Sequence, residues 1–376
     1  MKLLARILGS LVIIGVMGGC ASAGTGTPDP STGGAGTGTG STADQNVSAS
    51  GVPWPIKTRE HVDLWLHGFA MLQEDTTFVP FFRRGYSTNM TVLKNRANVV
   101  SQLDANRDRL RSRFGANPQL INAQFIPLSF SSWDEIAQVV NIFVRADGDP
   151  RAASSQAQAN AIAFLAAYFP TAADRDWVRL FVTSLADERV KFYQSYWVQQ
   201  QREKRNVLDE VDVLWQGNYR PKIQRFLNNT QQAAGDVLLS LPLDGEGRAQ
   251  SSGKQANILT VTFPDRPADA IEAIYVIMHE AVGSLAGVAV IDNITPEQRR
   301  TGLGERYTSA AAVRAGALLL QRTAPESVDG YMRYYLRSVN RSVGSNVAAS
   351  FNAAFSLPDT IREALNRQLD VVLGGI

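Results

Sequence analysis

The sequence predicts a mainly α-helical body with a small β-sheet, an α+β fold. Three observations carry this. Apolar residues recur at helical spacing through most of residues 54–376. Two stretches, Val237–Leu243 and Asn257–Phe263, stand out with strand patterns. Neither an internal repeat nor a linker-like stretch divides 54–376, so one body is expected.

Arg59 to Leu72 places Val62, Trp65, Leu66, Phe69 and Leu72 on one stripe, an amphipathic helix. Thr91 to Phe114 reads as one long helix through Leu93, Val100, Leu103 and Leu110, ended by Gly115 and Pro118. Phe125 to Phe130 reads as a short strand-like piece. Ser132 can cap a helix through Trp133, Ile136, Val139, Val140 and Phe143. Ala152 to Phe169 is Ala-rich and ends at Pro170. Thr171 can cap the next helix, which runs past Tyr193. Gln199 to Arg205 is polar all round, a solvated stretch or a bend.

Val237 to Leu243 ends in Asp244-Gly245-Glu246-Gly247, a turn. Asn257 to Phe263 alternates Ile258, Thr260 and Thr262 against Leu259, Val261 and Phe263, the period of a strand. Pro264 and Pro267 break the chain before an apolar helix that starts near Ala268. Further helices are expected over Pro296–Arg322, Pro325–Val339 and Pro358–Leu373, with Tyr331, Tyr334 and Tyr335 as packing residues with polar tips.

The 376 residues include 37 basic and 35 acidic ones, a formal charge of +2, too small to hold nucleic acid by overall charge. One cysteine excludes an intrachain disulfide scaffold, and three histidines (His61, His67, His279) exclude a His-rich metal site. Gly-x-Ser-x-Gly is absent, Gly302-Leu-Gly304 lacks the Lys-Ser/Thr of a phosphate loop, and Asp147-Gly148-Asp149 reads as a helix-terminal turn.

Lys2 and Arg6 precede an apolar run from Ile7 to Met17, too short to span a bilayer. Met17-Gly18-Gly19-Cys20 comes next. This resembles a bacterial lipoprotein signal peptide with its lipobox, Met17 standing where Leu is usual. The resemblance implies a signal peptide over 1–19, cleavage before Cys20, and lipid on the Cys20 sulfur. It also implies a cell-envelope location, with Ala21 favouring the outer membrane where there are two. Loss of Lys2 and Arg6 leaves 35 basic and 35 acidic residues, so attachment to the bilayer falls to the lipid. A chance cysteine behind an ordinary secretory signal is the alternative. Residues 20–53 then form a linker: 21–50 is Gly, Ala, Ser or Thr at 23 of 30 positions. Such a stretch is expected to be a flexible coil, reaching about 30 Å at roughly 5–6 Å × √n.

A strand, a break and an apolar helix ending in His279-Glu280 resemble the active-site region of zincin metallopeptidases, whose motif is His-Glu-x-x-His. The resemblance makes His279 the first zinc ligand and Glu280 the general base. Gly283 replaces the second histidine, and the downstream helix carries Arg314 where a gluzincin carries a ligand glutamate. Two arrangements are compatible with these residues. In the first, Glu280 and Arg314 form a buried pair in a metal-free zincin-like core, and the body binds or supports. In the second, a zinc peptidase uses His279, Glu280 and His67. His279 also suits a hydrogen-bonded core histidine, and Glu280 a solvent-facing glutamate. A third class is a solute- or glycan-binding body with an aromatic groove near Trp65 or Phe81.

Overall fold

The computed structural model describes residues 53–73 and 77–374. The expected signal peptide, Cys20 and all but the last residue of the expected 20–53 linker lie outside the described residues.

The fold is mainly helical with a four-stranded mixed sheet, as expected. Strand β1 (Ile56–Lys57) opens the body, followed by α1 (Glu60–Leu72), α2 (Tyr86–Arg96), α3 (Gln102–Ala105) and α4 (Arg107–Ala116). A 3-10 run over Pro118–Ser129 leads to α5 (Trp133–Arg145), α6 (Gln156–Tyr168) and α7 (Ala172–Glu188). A π turn, Arg189–Tyr193, passes α7 into α8 (Gln194–Glu203). Lys204 bends the chain into α9 (Arg205–Leu214), and a second π turn, Trp215–Tyr219, leads to α10 (Arg220–Asn229). Then come β2 (Gly235–Ser240), β3 (Arg248–Ser251) and β4 (Asn257–Thr262). The chain ends with α11 (Ile271–Ala281), α12 (Gly283–Ile291), α13 (Pro296–Arg300), α14 (Leu303–Thr323), α15 (Val328–Ser338), α16 (Val347–Ala354) and α17 (Asp359–Leu373).

The sheet order is β1-β2-β4-β3, with β1, β2 and β4 parallel and β3 antiparallel at the edge. Because side chains alternate across a strand, one face presents Val237, Leu239, Leu259 and Val261 to the core built by α9–α17. The other presents Leu238 and Ile258 to the core built by α1–α7. The sheet is therefore the partition between two apolar cores. Ser132 and Thr171 cap α5 and α7 as expected, and the Thr171–Asp174 capping box is complete.

Three expectations are corrected. Thr91–Phe114 is not one helix. Asn98 sits in the left-handed region at φ 53, which Asn tolerates, and Ser101 starts a new helix through a capping box with Asp104. Phe125–Phe130 is not a strand: Pro118 opens a 3-10 run that continues through Pro127 to Ser129. Pro296–Arg322 divides at Gly302, whose φ of 76 ends α13 before α14 begins.

Candidate functional site

A cluster of titratable side chains lies where α11 meets the sheet edge. Helix α11 is apolar on nearly all sides and is buried against β4, so its last turn carries His279 and Glu280 into the interior. His279 is 1% exposed and Glu280 is 8% exposed. The loop between β2 and β3 supplies Glu246. That loop is fixed by backbone pairing with the segment after α1: Asp244 N–H donates to Phe81 O at 2.8 Å and Glu246 N–H to Pro80 O at 2.9 Å. Tyr335 Oη donates to Gly245 O at 3.1 Å, and its ring lies 5.4 Å from that of His279. Gly247 has no room for a side chain, because a Cβ there would run into the Thr260 carbonyl.

His279 Nε2 lies 3.1 Å from Glu246 Oε1 and 3.7 Å from Glu280 Oε1. Gly247 N–H donates to Glu280 Oε1 at 2.9 Å. Two buried polar atoms of the cluster, Glu246 Oε2 and His279 Nδ1, have no hydrogen-bond partner among the described residues. One donor atom from each of Glu246, His279 and Glu280 lies within 4.8 Å of the others.

Comparison of the chain with protein-family models, curated proteins and solved structures gives no match.

Two carboxylates enclosed with one imidazole form a charge problem with two solutions, protons or a cation. Burial drives the Glu280 carboxyl up to about 7. His279 pulls it back, Glu246 pushes it further, and Gly247 N–H and Arg248 lower it in part. Burial opposes a charged His279 ring, but Glu246 and Glu280 overcome this and raise it above the ordinary imidazole value. A proton shared in the cluster is one way to balance it.

A cation also fits the donor set. Zinc takes imidazole and carboxylate donors at about 2.0–2.2 Å, so tetrahedral neighbours stand roughly 3.4 Å apart. The 3.1 and 3.7 Å separations bracket that value. The orphaned Glu246 Oε2 is a further acceptor without a donor.

The pair expected between Glu280 and Arg314 does not form. Arg314, on α14, donates to Asn352 Oδ1 and lies over the Phe351 ring, against α16. Gly283 opens α12, whose axis is bent 41° from the preceding helical segment, so position 283 does not continue the face of His279. His67 is not part of this cluster: its Nδ1 faces Tyr86 Oη and its Nε2 faces Glu188 Oε1, each at 3.1 Å. Trp65 lines no groove, since it is wholly buried and donates to Ala123 O at 3.0 Å.

The residue that sequence reasoning missed is Glu246. It stood in a turn of known place but unknown neighbours. The signal that could have found it is the pair of flanking glycines, Gly245 and Gly247, which let a backbone carry a carboxylate into a crowded interior.

Among the described residues a second buried polar network occupies the other core. Glu188 accepts from Lys94 Nζ at 2.6 Å, from His67 and from Ser101 Oγ. Nearby, Asp63 accepts from Ser240 Oγ at 2.6 Å and Trp197 Nε1 at 2.8 Å. Burial drives Asp63 up to about 7 despite these donors.

Proposed function

We propose that this chain is a lipid-anchored protein of the bacterial cell envelope whose body holds one divalent cation and serves binding or structural ends. Zinc is the cation the donor chemistry suits best. The observation that carries the reading is the convergence of Glu246, His279 and Glu280. The anchor reading is supported by Cys20, the lone cysteine, standing directly behind the apolar run and Gly18-Gly19. The zincin-like reading rests on the order strand, break, apolar helix and His-Glu.

Glu246, His279 and Glu280 would hold the ion, which would supply a fixed double positive charge among buried carboxylates. Glu280 favours binding over hydrolysis. In the zincin resemblance it acts as base, whereas here its Oε1 accepts from Gly247 N–H and one of its carboxylate oxygens lies within 4.8 Å of the donor atoms of Glu246 and His279. The hydrolytic alternative draws support from one feature, that three protein donors leave a tetrahedral ion an open position.

Elemental analysis of the full chain, purified in detergent, tests the cation. About one zinc per chain is expected, lost in Glu246→Gln and in His279→Ala. A wild-type chain without stoichiometric metal after exposure to zinc would remove the reading. The anchor is tested separately by the mass of the peptide that contains Cys20.

A further inference from the structure

The described chain enters the body beside an apolar pocket. Trp54 is fully buried; its indole N–H donates to Gln232 O at 3.2 Å. Its carbonyl accepts from Trp215 Nε1 and Gln216 Nε2, both at 2.9 Å. Gln232 in turn lines a pocket of about 460 Å³ between the end of α10, α12 and α17. Leu285 and Val288 form one wall and Val371 and Val372 another. Val288 is 46% exposed and Val371 is 62% exposed. Ile291, one turn beyond Val288, is 46% exposed as well. Among the described residues Arg367 is the one charged residue in the lining; its Nη1 stands 3.7 Å from Glu363 Oε2 in an exposed ion pair.

We infer that this pocket takes an acyl chain of a phospholipid from the membrane to which the chain is tethered, with Arg367 beside the headgroup phosphate. The inference rests on the anchored-envelope reading for the source of the lipid. Four observations favour that occupant. The volume lies in the range of small-molecule sites, and most of its exposed surface is apolar, with Asn229, Thr230, Gln231, Ser284 and Gln368 as polar lining beside Gln232. Exposed Val288 and Val371 on facing walls of one concavity are the kind of apolar patch that marks an interaction site. The preceding segment, 21–50, is Gly, Ala, Ser or Thr at 23 of 30 positions and offers no apolar run to fill it. Finally, the tether is rooted at the pocket wall through Trp54 and Gln232. An expected reach of about 30 Å then holds this face at a high local concentration of lipid.

Photocrosslinking tests this. Full-length wild type and full-length Cys20→Ser are each mixed with phosphatidylethanolamine–phosphatidylglycerol vesicles. The vesicles contain a phospholipid with a photoreactive group in its acyl chain. Both chains should be labelled on peptides containing Leu285–Val288 and Val371–Val372. Val288→Asp and Val371→Asp, on separate helices and at exposed positions, should each lower that labelling about ten-fold while thermal melting shows the fold intact. Labels scattered over the surface, or unchanged in both variants, would overturn the inference. So would labelling of Cys20→Ser but not of wild type, which would assign the pocket to the protein's own acyl groups. Failure of the anchor reading looks different: an unmodified Cys20 in the mass spectrum with pocket labelling intact.

Discussion

Replacing Lys94 by Met should destabilise the protein by about 3 kcal/mol at pH 7, because it strips a buried carboxylate of its nearest cation. Glu188 is the last residue of α7 and is fully buried. Burial pushes its carboxyl up, but His67 and Lys94 more than offset this and hold it down at about 2, against 4.5 unperturbed. At 1.36 kcal/mol per unit, that difference is about 3 kcal/mol of stability, a net set by burial, His67 and Lys94 together; removing Lys94 alone leaves Glu188 buried with one cation fewer, a loss of the same order. Since the folded value is the lower one, this stability is fully present above pH 4.5 and is lost as pH falls through 2. Methionine keeps the volume of the lysine stem and removes only the ammonium, so the Glu188 charge is left to His67 and Ser101. The assay is urea unfolding of wild type and Lys94→Met at pH 7 and at pH 3. The variant should be weaker at pH 7 and should show a flatter loss between the two. The double change Lys94→Met with Glu188→Gln, which leaves no charge on that pair, should recover part of the deficit. A single variant within about 1 kcal/mol of wild type, with the acid dependence intact, would refute the pairing as a source of stability.

Other consequences are as direct. Asp63→Asn should cost no more than about 1 kcal/mol at pH 6, because Trp197 and Ser240 can still hydrogen-bond the amide. It should become relatively more stable than wild type above pH 7, where burial makes the Asp63 charge costly; denaturant midpoints at pH 6 and 9 check both. Gly68→Ala should cost about 1–3 kcal/mol in equilibrium unfolding, since the added methyl would stand 2.7 Å from the Phe181 ring and 2.8 Å from Leu185. In metal-free protein the melting temperature should fall as pH rises from 5 to 8. Glu280 and His279 are both raised in the folded state, so their contribution is present at low pH and lost as they deprotonate. Zinc should restore the melting temperature more at pH 8 than at pH 5, and a profile indifferent to both pH and zinc would count against the cluster.

Much of the fold was legible because period and punctuation spoke together. The β4 pattern named both faces of the sheet correctly, since alternation is a local property of a strand. Thr171 announced the start of α7 from the residues alone, and the structure adds Asp174 as its capping-box partner. The long helix expected over Thr91–Phe114 failed for a readable reason. Val100 fits an apolar period but is 72% exposed, because the left-handed turn at Asn98 takes it off the helix. His279 and Glu280 were found because they are adjacent on one helix. Glu246 was not, because it stands 33 positions before His279, with β3, β4 and most of α11 between them, and only the fold brings the two to 3.1 Å. Arg314 follows a different error: the gluzincin resemblance sets it opposite Glu280, where a ligand glutamate would stand, whereas α14 turns it toward Asn352 and Phe351 on α16.

The position of the cluster matters as much as its donors. The loop that carries Glu246 is held on one side by Pro80 and Phe81, which belong to the α1–α7 half, and on the other by Tyr335 from α15. Its Gly247 N–H is then spent on Glu280 of α11. One short loop thus ties the sheet edge to both helical halves, and its carboxylate shares a site with the end of the central helix. When that site lacks a cation and its protons leave at high pH, two carboxylates face each other across the seam where the halves join. A bound cation would remove that repulsion and, by mass action, favour the closed body over any state in which the loop has come away. Metal occupancy and the joining of the two halves would then rise and fall together, a coupling expected of a structural ion and one that a site on a single half would lack.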